Sequence, residues 1–91
     1  MTTAREINAA VKKQFKAHPA FVPAKFAVVG SFLSLRFEGD LPMSLVEDVR
    51  RWMNDTYSDT FRTILCGPHR WALRCEVGFV MGGTVITWYL A

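Results

Sequence analysis

The chain has few of the residues that build catalytic or metal sites: two histidines and two cysteines in 91 residues. His18 stands beside a proline and His69 in a tight turn, and neither belongs to an H-x-x-x-H or Cys/His cluster of metal-binding spacing. Cys66 and His69 are three residues apart, a spacing that a nucleophile and base or a pair of ligands can use. A cysteine at a strand end before a Gly-Pro turn nevertheless packs more often than it reacts. Gly82-Gly83 is not followed by Gly-Lys-Ser/Thr, which excludes a phosphate loop. The carboxylates Glu38, Asp40, Asp55 and Asp59 fall at expected element ends, where caps and turns use them. The expectation is a protein that is not an enzyme, with no cofactor and no metal.

Long apolar runs are also missing. The longest uncharged stretch, Val77 to Ala91, is shorter than the roughly 20 residues of a spanning helix and is broken by Gly78, Gly82 and Gly83. MTTAREINAAVKK has no apolar signal core, so the expected location is the cytoplasm. There the two cysteines are expected as free, buried thiols. A two-residue turn at Pro68-His69 sets Cys66 opposite Trp71 and Cys75 opposite Arg62, not opposite each other.

What is present is a core. Hydrophobic residues make up 51% of the chain, with three tryptophans, enough for one domain over residues 1–91. Thr3 and Glu6 form an S/T-x-x-E capping box ahead of Ile7, Val11 and Phe15, which predicts a helix from Thr3 to about Ala17. His18-Pro19 ends it. KFAVV and FLSLRF alternate on either side of Gly30-Ser31 and predict a hairpin. Pro42, with Ser44 and Glu47 as a second capping box, starts a helix bearing Leu45, Val49, Trp52 and Met53. Glu47 and Arg51 form an i, i+4 pair, and the polar run Tyr-Ser-Asp-Thr ends the helix near Tyr57. Three strands are expected to follow: FRTILC, then Trp71 to Val77, then Thr84 to Leu90. The predicted class is α+β in the order α-β-β-α-β-β-β, an antiparallel sheet of up to five strands with both helices packed on one face. The final strand is apolar on both faces, so it is either central in the sheet or an edge awaiting another chain.

Charge is unevenly spread. Residues 1–25 carry +4, residues 26–37 +1, residues 38–59 −4 and residues 60–91 +2. Lys12, Lys13 and Lys16 on the first helix, with Arg36, Arg70 and Arg74 from the strands, are the candidate partner-binding residues. Such cations can track a phosphate backbone, although a solvated lysine face is the commonest use of these residues. No recognition motif with stacking aromatics in a basic context is visible. Separated acidic and basic regions also suit steered docking to a protein. Arg70-Trp71 and Trp88-Tyr89 are residue types enriched at binding hot spots, and equally at home in a core. A homodimer through the final strand is a further expectation. No membrane partner is expected.

Five segments carry a family resemblance: T-A-R-E-I at the first helix, K-F-A-V from Lys25 to Val28, E-G-D-L-P before the second helix, V-E-D-V within it, and Y-S-D-T-F after it. Across roughly residues 2–61 the chain resembles small domains associated with large polyvalent proteins of phages and conjugative elements. The turn departs from that family's Asp-Gly-Pro order, and the resemblance does not reach the last strands. It implies a mobile-element origin and a phage accessory protein acting by stoichiometric binding, an anti-CRISPR-like inhibitor of a host nucleoprotein defence complex. It carries over no catalytic residue. The alternative is a small basic nucleic-acid-binding protein.

Overall fold

The computed structural model describes residues 3–65 and 72–91. Its elements are α1 (Ala4–Phe15), β1 (Ala24–Val29), β2 (Phe32–Phe37), α2 (Met43–Leu65), β3 (Leu73–Val80) and β4 (Gly83–Leu90). The class is α+β with two helices and a four-stranded antiparallel sheet, in the spatial order β1-β2-β4-β3.

The first helix forms for the expected reason. Thr3 is its N-cap: the Glu6 N–H donates to Thr3 Oγ1 at 3.2 Å, and the Thr3 hydroxyl lies 3.4 Å from Glu6 Oε1. Ile7 and Val11 are buried. After Phe15 the chain turns, with the His18 N–H bonded to Phe15 O and the Ala20 N–H donating to His18 Nδ1 at 3.1 Å.

The second helix corrects the expected order. It runs on past Tyr57 to Leu65, so Phe61 to Leu65 of the expected strand FRTILC are its last turns, Cys66 lies outside the described residues, and the sheet of the described residues has four strands instead of five. Leu45, Val49, Met53, Tyr57, Phe61 and Leu65 form an unbroken i, i+4 series. Asp59, in the polar run, points to solvent. No glycine or proline interrupts the chain between Pro42 and Gly67. Ser44 sits inside the helix, and the Val46 N–H donates to Pro42 O. Glu47 pairs with Arg50 at 2.6 Å, not with Arg51 as the i, i+4 spacing suggested. The strand register that set Cys75 against Arg62 falls with the missing strand, while Cys75 is free.

The strand without a charged residue takes the centre. β4 pairs with β2 on one side and β3 on the other, because only a central strand hides both edges and one whole face. Both edges are therefore filled from within the chain, which removes the basis for a homodimer through this strand. β3, which carries Arg74 and Glu76, lies at one rim and β1 at the other. Gly83 lets β4 start close against β2: a Cβ there would lie 2.4 Å from Phe37 O.

The helices cover one face. Phe26, Leu33, Leu35, Phe37, Ile86 and Trp88 meet Ile7, Val11, Leu45, Val46, Val49, Met53 and Phe61 in one buried cluster. Trp88 is fully buried, which settles its use as core rather than as a hot spot, and its Nε1–H donates to Asn54 Oδ1 at 2.6 Å. Phe61 is the hub of the aromatic packing. Its ring lies 5.0 Å from Trp88, 5.6 Å from Phe26 and 5.8 Å from Tyr57, linking α2 to β4 and β1.

Candidate nucleic-acid interface

The opposite face of the sheet is left open, and its composition follows from strand alternation. Lys25, Ala27 and Val29 of β1 share it with Phe32, Ser34 and Arg36 of β2, and with Val85, Thr87 and Tyr89 of β4. From β3 come Arg74, Glu76, Gly78 and Val80. No described element packs over these residues.

Register places the cations. Lys25 is directly opposite Arg36, and both are exposed. Cβ atoms of such a pair lie about 5 Å apart, and like charges so placed repel. The surface therefore gains from a counter-anion at that point. Ser34 and Thr87, directly paired in the next row, offer hydroxyls beside it. One row further, Phe32 pairs with Val29 and Tyr89 pairs with Arg74. Phe32 and Tyr89 themselves follow the last registered β2–β4 pair, Leu33 with Trp88. Two aromatic rings on the two central strands thus lie on the far side of the polar row from Lys25 and Arg36. Phe32 is 42% exposed. The Tyr89 hydroxyl donates to Glu76 Oε1 at 2.9 Å. That hydrogen bond, then burial and the carboxylate's charge, raise the phenol's pKa.

The basic surface turns the corner at β1. A groove of about 380 Å³ runs between α1 and the edge of β1, floored by Ala9, Phe21, Pro23 and Ala24 and flanked by Lys12 and Lys16. The i, i+4 spacing stacks these two lysines on one side of the helix. Asn8 locks the helix to the strand, since its Oδ1 accepts the outward-pointing Phe26 N–H at 2.6 Å. The edge of β1 is thereby partly capped.

The expected site residues separate into groups. Lys12 and Lys16 come together, and Arg36 is joined on the open face by Lys25, which the sequence-based choice left out. Lys13 is exposed but does not line the groove. Arg74 stands apart, with β4 between its strand and that of Arg36, and with Glu76 two residues along on the same face. Arg70 lies outside the described residues, as do Cys66, His69 and Trp71. Phe32 and Tyr89 were missed as stacking groups because they are 57 residues apart in sequence and become neighbours only through the β2–β4 register.

The carbonyl and Nδ1 of His18 hold the turn after α1. Burial, opposed in part by the Arg50 charge, pushes the Cys75 thiol up to about 11, and a thiol so protonated is a poor nucleophile. Among the described residues no group of three or more His, Cys, Asp or Glu side chains is placed to hold a metal ion. No described helix is long and apolar enough to cross a membrane. No family model, curated protein or solved structure matches this chain.

Proposed function

We propose that this chain is a stoichiometric binding protein that engages single-stranded nucleic acid presented by a host nucleoprotein complex, acting as an anti-CRISPR-like inhibitor in the host cytoplasm. The observation that carries the nucleic-acid part is the open face: Lys25 directly opposite Arg36, with Phe32 and Tyr89 on the central strands two rows along, beyond Ser34 and Thr87. Cations tracking a backbone next to rings that stack on bases form the usual platform for single strands, and base–aromatic stacking contributes about 1–3 kcal/mol per base. Lys12 and Lys16 extend the positive surface around the β1 edge. The phage origin and the inhibitory role rest on the segments from Thr3 to Phe61 that resemble domains of mobile-element proteins.

The test uses a fluorescein-labelled oligouridylate and, in parallel, tagged protein incubated with a bacterial lysate, its captured partners identified by mass spectrometry. The expected result is oligonucleotide binding that falls steeply with salt, together with capture of a nucleic-acid-containing complex that nuclease treatment releases. Capture that survives nuclease and is indifferent to Lys25→Glu and Arg36→Glu removes the open face from the interface. Oligonucleotide binding without capture of any complex favours the second reading, a free-standing nucleic-acid-binding protein.

A further inference from the structure

The two rims of the sheet are treated differently. Asn8 and α1 guard β1, whereas no described residue pairs with the outer edge of β3, eight residues from Leu73 to Val80. Ala72 and Ala91 exchange both backbone hydrogen bonds, at 3.0 and 3.1 Å. In an antiparallel ladder this alternates, so the even-numbered residues of β3 bond to β4. The N–H and C=O groups of Leu73, Cys75, Val77 and Phe79 therefore face outward and unpaired. An exposed edge of this length is a template for another strand.

The side chains select which strand fits. Arg74 and Glu76 are both exposed on the open face. They do not pair with each other, and Glu76 bonds only the Tyr89 hydroxyl among described side chains. Consider β3 meeting a second β3 antiparallel about a twofold axis. Centring on Glu76 sets Glu76 against Glu76, and centring on Arg74 sets Arg74 against Arg74. Centring on Cys75 sets each Arg74 against the partner's Glu76. It also aligns the outward groups, pairing Leu73 with the partner's Val77 and Cys75 with the partner's Cys75. The Arg74–Glu76 pairs then fall at non-hydrogen-bonded positions, where Cα atoms are about 4.5 Å apart and side chains lie closest. The segment is self-complementary in charge, backbone and register at once.

We propose that β3 is a homodimerisation edge that joins two copies of this chain, antiparallel and centred on Cys75, into one continuous eight-stranded sheet with Arg74 paired to the partner's Glu76. The apolar side chains of Leu73, Val77 and Phe79, the last 64% exposed, gain cover along the seam. Isologous pairing closes after two copies and leaves no further edge of this kind.

Sedimentation velocity under reducing conditions, over rising protein concentration, tests this. The wild-type chain is expected to populate a dimer. Arg74→Glu and Glu76→Arg are each expected to weaken dimerisation about ten- to a hundredfold, because two attractive cross-strand pairs become repulsive. Mixing the two variants restores a dimer, now a heterodimer in which Glu faces Arg at both positions, as does the double swap Arg74→Glu/Glu76→Arg. Both positions are exposed, and far-ultraviolet circular dichroism spectra of the single variants that match the wild type show that folding is intact. A wild-type chain that stays monomeric overturns the proposal. So does a dimer indifferent to both reversals, and so do single variants that separate but do not recombine on mixing.

Discussion

Replacing Phe61 by alanine tests the assignment that reshapes this fold. Phe61 is fully buried and contacts three other rings, with centroids 5.0, 5.6 and 5.8 Å away. Truncating a buried phenylalanine costs about 3–5 kcal/mol when the cavity cannot collapse. The partners here come from β1, β4 and α2 itself, so no single element can move in to fill the space. At about 0.05–0.15 kcal/mol per residue, the 91-residue domain has roughly 5–14 kcal/mol in total. At about 4–8 °C per kcal/mol, the loss lowers the melting temperature by about 12–40 °C. Thermal melts by circular dichroism, with urea titration for the free energy, read it directly. A loss under about 1 kcal/mol refutes the hub. Asp59→Pro separates helix from strand by a second route. In a helix interior proline costs about 3 kcal/mol or more, whereas a helix that stopped at Tyr57 leaves this position tolerant.

Other expectations follow from single contacts. Asn54→Leu leaves the buried Trp88 Nε1–H without its 2.6 Å acceptor and costs about 1–3 kcal/mol, measured by urea unfolding. Asn54→Asp keeps an acceptor and retains more of that stability. In a Cys66→Ser background, Cys75 reacts with iodoacetamide about a hundredfold more slowly folded than unfolded at pH 8. The factor follows from a thiol pushed from 9.0 to about 11 by burial, since only the thiolate reacts. The sign for stability follows too. The folded chain favours the protonated thiol, so this contribution is intact below pH 9 and is lost as pH rises towards 11. An alkylation rate that is equal in both states contradicts the burial of this side chain.

Local signals made much of the fold legible in sequence. The Thr3–Glu6 box and the Ile7-Val11-Phe15 spacing are self-contained, and the first hairpin carries its own turn. The end of α2 was illegible because Phe61, Thr63 and Ile64 are residue types that strands favour and the preceding Ser-Asp-Thr is polar. What decides the matter is the contact of Phe61 with Phe26 and Trp88, which are distant in sequence. The final strand announced its dual apolar faces but not which neighbours it takes. The interface was legible as a charge inventory and illegible as geometry. Alternation puts Arg36 on a solvent face, but only the register makes Lys25 its neighbour and brings Phe32 towards Tyr89.

The central claim is that the band of Lys12, Lys16, Lys25 and Arg36 meets the phosphates of a single strand, and the salt dependence of oligouridylate binding tests it most directly. Four phosphate contacts give a slope of log K against log salt of about −2.8, or about a 50-fold loss between 50 and 200 mM. Lys25→Glu/Arg36→Glu is expected to flatten the slope to about −1.4 or less while leaving the thermal melt unchanged. A slope near zero for the wild-type chain, or one that the double reversal does not alter, contradicts the account.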